Sequence, residues 1–163
     1  MRARVALLAL LLAACSSLPG PHWRGAGERL VVVRVAPAVA TPEFMAAIQW
    51  GAGIWSFQSP YIWFDVGVGT CPGDIYCVQV DRAAVNGAVT YVGNDTAGHM
   101  YGTAVHMFFD SGPWDPVLLA KVATHEFGHA AGLEHGTTPG PSVDGWPTQT
   151  DLDNLAAMYA HND

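Results

Sequence analysis

Basic side chains are scarce in this chain: 7 Lys and Arg stand against 14 Asp and Glu, for a formal charge of −7 at pH 7. No basic cluster and no stripe of interleaved basic and aromatic residues occurs, which excludes nucleic acid as a partner. Internal repeats, low-complexity runs and a histidine-rich tract are also absent, and the last absence argues against a metal-scavenging role. Beyond the N-terminal region no apolar segment is long enough to cross a bilayer, so the body is expected to be soluble; a monomer is the expected state.

The N-terminal apolar run, Val5 to Ala14, is itself too short for a stable transmembrane helix. With Arg2 and Arg4 before it and small residues after it, it reads as a cleaved export signal over residues 1–14. Leu12-Ala13-Ala14-Cys15 resembles the bacterial lipoprotein box, which implies that Cys15 is lipidated and becomes the first mature residue. A secretory signal cut nearby, with Cys15 incidental, is the alternative. Lipidation would place the protein in the bacterial cell envelope, facing periplasm or surface, with the lipid as its one membrane attachment. Residues 15–28, rich in Ser, Pro and Gly, read as a tether. Residues 29–163 suit one domain with a single core. With Cys15 spent on lipid, Cys71 and Cys77 form an even pair in an exported chain, and a disulfide is expected. A second metal site is the rival reading, opposed by their wide spacing and the lack of a histidine partner.

The chemistry is concentrated in HEFGHAAGLEH, residues 125–135. His125 and His129 are four apart, so on a helix their imidazoles reach one ion. A catalytic zinc site takes three protein ligands and leaves a fourth position open, which asks for a third histidine. His135 would be carried away by a straight helix. Gly132, without a Cβ, can end the helix in a left-handed conformation and turn His135 back. Glu126 sits about 100° round the helix from His125, placed to act as general base towards zinc-bound water, not as a ligand. The whole string is an H-E-x-x-H-x-x-G-x-x-H zinc-peptidase signature.

Around this motif, the β-branched and aromatic runs predict strands at Leu30–Val35, Ile62–Val68, Ile75–Val80, Ala88–Val92 and Thr103–Phe109. Thr41-Pro42-Glu43 supplies an N-cap, a first-turn proline and an early acid for a helix. That helix's apolar stripe is Phe44, Ala47, Ile48, Gly51, Ala52 and Trp55, and both Trp50 and Trp55 are read as core. Asp115-Pro116 opens the motif helix, on which Leu118, Val122, His125 and His129 share a face. Residues 136–149 read as loop. Thr150 and Asp153 form a capping box for a last helix that buries Leu152, Leu155, Ala156 and Tyr159.

This order of elements, with its zinc motif, resembles the metzincin zinc metallopeptidases, and among them the matrixin catalytic domain, over about residues 29–162. AIQWGAGIWSFQSPYIWFDV is similar to the matrixin first helix and second strand. The resemblance implies an α+β fold: a twisted five-stranded mixed sheet packed with a first helix and a zinc-binding helix, plus a C-terminal helix. It implies one catalytic Zn²⁺ on His125, His129 and His135, water activation by Glu126, and a substrate-pairing sheet edge in AVTYVG, residues 88–93.

The chain departs from the family pattern in several places. Metzincins have a methionine turn beneath the zinc, and here Met158 either forms it, making Tyr159 a candidate oxyanion donor, or lies in the final helix with Tyr159 in the core. In the second case the turn is degenerate near Ser142 to Trp146. No propeptide cysteine switch is evident. Of a second, structural zinc only His99 and His106 could remain, and they read as solvated or core histidines, as His22 and His161 read as exposed ones. Asp95, Asp110 and Asp115 could bind Ca²⁺ from loops, but Asp115 already serves as a cap. The expected activity is zinc-dependent hydrolysis of peptide bonds in extended protein or peptide substrates. The alternative is a non-catalytic, zinc-containing, lipid-anchored binding protein on the same fold.

Overall fold

The structure, a computed structural model, describes residues 22–23, 29–72, 76–83, 88–91, 99–100, 105–110, 115–134 and 145–160. The expected signal, Cys15, most of the tether, Asp95, His135 and His161 lie outside the described residues. In chain order the elements are β1 (His22–Trp23), β2 (Arg29–Val35), α1 (Pro42–Gln58), β3 (Ile62–Val68), β4 (Cys77–Arg82), β5 (Ala88–Tyr91), β6 (His99–Met100), β7 (Val105–Phe109), α2 (Pro116–Ala130) and α3 (Gln149–Tyr159).

Five strands form one sheet in the order β3-β2-β4-β7-β5. All its pairings are parallel except β5 with β7, so the sheet is mixed, as expected. In β2, RLVVVRV alternates by side: Val31, Val33 and Val35 are buried while Leu30 is exposed. One strand differs in its bounds from those expected of the sequence. The fourth element in the chain's strand series begins at Cys77 and runs on to Arg82, because Val78 and Val80 pair with Val33 and Val35 and extend the ladder into Asp81 and Arg82. The expected strand before the motif helix is present over Val105–Phe109, and Thr103 lies outside the described residues. A separate parallel pair, β1 with β6, is not evident from sequence. It brings Trp23, from the segment read as tether, into the core with no exposed surface.

Helix α1 starts as its sequence dictates, with the Thr41 side chain accepting from the Phe44 backbone N at 3.3 Å and Pro42 in the first turn. The expected stripe is buried, joined by Ile54. Trp50 is a correction: it stands on the opposite side, 55% exposed, its ring 6.3 Å from that of Trp146 at the mouth of a cavity of about 330 Å³. Trp50 and Trp55 are five residues apart, about 140° round the helix, so they point to different sides; Trp55 faces the core, its indole Nε1 donating to Thr124 O at 2.7 Å. Helices α1 and α2 approach so closely that a Cβ on Gly51 would lie 2.8 Å from the backbone of Ala123 and Thr124. Phe44 packs against Phe109, and Phe64 against Phe127, closing the core between sheet and helices.

Helix α3 contains Met158 and Tyr159, so Met158 lies in the final helix and not in a methionine turn. Its capping box is formed by Thr148 and Asp151, two residues before the expected Thr150 and Asp153. The sequence TQTDLD offers the same spacing twice. The earlier pair is used, which turns Asp151, Leu155, Met158 and Tyr159 inward and leaves Leu152 and Ala156 half-buried. Asp153 instead accepts from Gln149 Nε2 at 2.9 Å. Cys71 and Cys77 form the expected disulfide, tying the segment after β3 to the start of β4. Among the described residues no helix is long and apolar enough to cross a membrane.

Candidate metal centre

Asp115 caps α2, its carboxylate accepting from the backbone N of Val117 and Leu118 at 3.0 Å each, with Pro116 next. The cap role assigned to Asp115 is therefore occupied. The buried side of α2 is Leu119, Ala123, Thr124, Glu126, Phe127, Gly128 and Ala130. The face read as its anchor differs: Leu118 is exposed, and Val122, His125 and His129 are half-buried. The histidines thus line an accessible side of a helix held from behind by small residues and Phe127.

His125 and His129 converge. Their Nε2 atoms are 3.2 Å apart, with rings at 87°. Two nitrogens bound tetrahedrally at about 2.05 Å from one zinc ion would be roughly 3.3 Å apart, so this pair already has the spacing of a shared ion. His129 Nδ1 lies 2.6 Å from the carbonyl oxygen of Leu133. A carbonyl can only accept, so Nδ1 carries the proton and the lone pair of the neutral ring sits on Nε2, facing His125. This backbone contact is the functional detail that sequence reading missed; a glycine-terminated helix following a histidine four residues before Leu133 is its only signal.

The turn that delivers Leu133 is built at Gly132, with φ of +105°. Gly132 N donates to His129 O at 2.8 Å and Leu133 N to Gly128 O at 3.0 Å, the two bonds of a Schellman ending. Leu133 is fully buried, which seats the reversed chain. The helix therefore ends where the sequence requires for the chain to turn back. His135 itself lies outside the described residues, and among those described no group of three or more His, Cys, Asp or Glu side chains gathers to hold a metal.

Glu126 is 5% exposed, and burial pushes its carboxyl up to about 7. Its Oε2 has no hydrogen-bond partner among the described residues. Buried carboxylates that serve only the fold are normally paired, so this one suits a cation or a reacting proton nearby. The donor chemistry, two imidazole lone pairs with a buried carboxyl beside them, fits zinc. His106, in β7, is half-buried with its ring 6.0 Å from that of Phe108. Tyr159 is buried, its hydroxyl donating to Ala131 O at 2.9 Å, which places it in the core. Strand β5 is the sheet edge expected of AVTYVG as far as Tyr91.

No family model matches the chain. Human neutrophil collagenase is 25% identical over 163 residues, covering 86% of this chain; the chain spans about a third, 34%, of the collagenase's length. The structure of myroilysin superposes with a TM-score of 0.52 at 14% identity, over 87% of this chain and 97% of that one. High choriolytic enzyme 1, a hatching-enzyme zinc-protease of Oryzias latipes, gives a TM-score of 0.49 at 16% identity, over 74% of this chain and 52% of that one. The fold is metzincin-like, an α+β arrangement of a five-stranded mixed sheet with its helices.

Proposed function

We propose that this metzincin-like chain is a zinc-dependent endopeptidase in which His125, His129 and His135 hold one Zn²⁺ and Glu126 is the general base. The observation that carries the reading is the 3.2 Å convergence of the His125 and His129 Nε2 atoms, with the buried Glu126 next to His125 in the chain. The 25% identity to a collagenase supports protein as the substrate class.

When bound, Zn²⁺ supplies Lewis acidity to a scissile carbonyl and lowers the pKa of water towards about 7. Glu126 takes a proton from the attacking water and returns it to the leaving amine nitrogen. Burial raises its carboxyl above the usual carboxylate range, which favours its holding a proton between the two transfers. The Leu133 carbonyl holds His129 in one tautomer throughout. Strand β5 offers its outer backbone groups to an extended peptide, fixing the substrate alongside α2. Export over residues 1–14 and lipid on Cys15 belong to the same proposal, supported by LLAAC in the sequence.

The test is an assay of the purified chain with Zn²⁺ on a mixed peptide library, with a chelator arm and a Glu126→Ala arm. Cleavage abolished in both arms is the expected result. A protein that holds zinc stoichiometrically and cleaves nothing would overturn the endopeptidase reading in favour of a binding protein on the same fold.

A further inference from the structure

We propose that Trp23 and Tyr159 are positioning residues for the metal centre, clamping the end of α2 so that the Gly132 turn presents its groups to the ion. The proposal rests on the zinc reading above but is argued from the backbone accounting of the helix end. An α-helix leaves its last carbonyls without helical donors. In α2, Phe127 O accepts from Ala131 N at 2.9 Å, Gly128 O from Leu133 N at 3.0 Å and His129 O from Gly132 N at 2.8 Å. The turn closes these three by itself. None of these three turn amides is available to the next two carbonyls, Ala130 O and Ala131 O, because past Gly132 the chain leaves the helix axis.

Those two carbonyls receive donors from far along the chain. Ala130 O accepts from the Trp23 indole Nε1 at 2.8 Å, across 107 residues. Ala131 O accepts from the Tyr159 hydroxyl at 2.9 Å, and that hydroxyl accepts in turn from the Trp23 backbone N at 3.1 Å. Trp23, Tyr159, Ala130 and Ala131 are all buried, so water does not substitute for either donor. The Tyr159 ring is stacked on Tyr61 and the Trp23 ring meets Tyr76 edge-on, which holds both donors in place.

The clamped peptide units are the two between Ala130 and Gly132. Their tilt sets where the chain reverses, hence the distance from Leu133 O to His129 Nδ1 and the direction in which the chain leaves towards His135. Phenylalanine at 159 keeps the ring and removes only the hydroxyl, whereas at 23 it removes the indole N–H together with part of the buried ring, so Tyr159→Phe isolates the hydrogen bond and Trp23→Phe tests it along with packing.

The test uses the full chain with Trp23→Phe, with Tyr159→Phe, and with Val33→Ala in β2 as a control of comparable stability loss. Three quantities are read: hydrogen exchange of the Gly132 and Leu133 amides without metal, zinc affinity by competition with a chromophoric chelator, and the visible spectrum of the Co²⁺-loaded protein. Both Phe variants are expected to lose about tenfold or more in zinc affinity, to exchange the Leu133 amide at least tenfold faster, and to shift the Co²⁺ bands. Val33→Ala should leave all three at parental values. Parental exchange and affinity in both Phe variants, or equal changes in Val33→Ala, would overturn the clamp. Should Trp23→Phe fail to fold, Tyr159→Phe, which removes one oxygen, decides alone. If the parent chain binds no zinc, the peptidase reading fails while Leu133 exchange still tests the clamp.

Discussion

In the proposed mechanism Glu126 supplies a proton relay and its two neighbouring histidines supply lone pairs, so their roles are separable by substitution. Glu126→Ala is expected to keep stoichiometric zinc and to lose at least about a hundredfold in turnover; metal analysis beside a peptide assay reads both. His129→Ala should lose zinc and turnover together, and tight zinc in that variant would remove His129 from the ligand set. Gly132 acts without touching metal or substrate. At φ of +105° a β-branched side chain is strained by about 1–3 kcal/mol. Gly132→Val should therefore weaken zinc binding with every ligand still present, as calorimetric titration can measure. Parental affinity in that variant would detach the turn from the site.

At the scale of the element, α2 is placed by α1 as much as by its own sequence. Gly51 lets the two backbones meet, and Trp55 donates to Thr124 O one residue before His125. Gly51→Ala forces a methyl to 2.8 Å from backbone that has no rotamer to yield. It should cost about 1–3 kcal/mol in chemical denaturation, and an unchanged midpoint would mean the helices can separate freely. Helix starts were legible in the sequence wherever a cap and a proline coincide, as at Thr41-Pro42 and Asp115-Pro116. The last helix was misplaced by two residues because TQTDLD carries the capping spacing twice. Local chemistry cannot choose between two equal caps; the burial of Leu155 and Tyr159 against the rest of the molecule does.

At the scale of the whole molecule, a disulfide ties the segment after β3 to the start of β4. The Cys71–Cys77 bridge closes a short loop with a sequence separation of 6. Replacing both cysteines with serine should lower stability by about 2 kcal/mol on chain-entropy grounds. An unchanged unfolding midpoint would assign the bridge no stabilising role. Intact-mass analysis of membrane-extracted protein should find an acylated Cys15 as the first residue, and a mature terminus elsewhere would defeat the lipid proposal.

The sequence by itself determined the parts set by near neighbours: the alternation of β2, the caps of α1 and α2, the i, i+4 placement of His125 and His129, and the glycine that ends their helix. Each depends on residues within a turn or two, where periodicity and φ preferences act without help from the rest of the chain. Tertiary structure decided the rest. Trp50 turned outward and Trp55 inward because only one face of α1 meets α2. Trp23 left a segment composed like a tether because its indole answers a carbonyl 107 residues away, and Tyr159 was committed to Ala131 O. A buried hydrogen-bond donor is matched to its acceptor by position in space, and no local pattern in the sequence encodes that position.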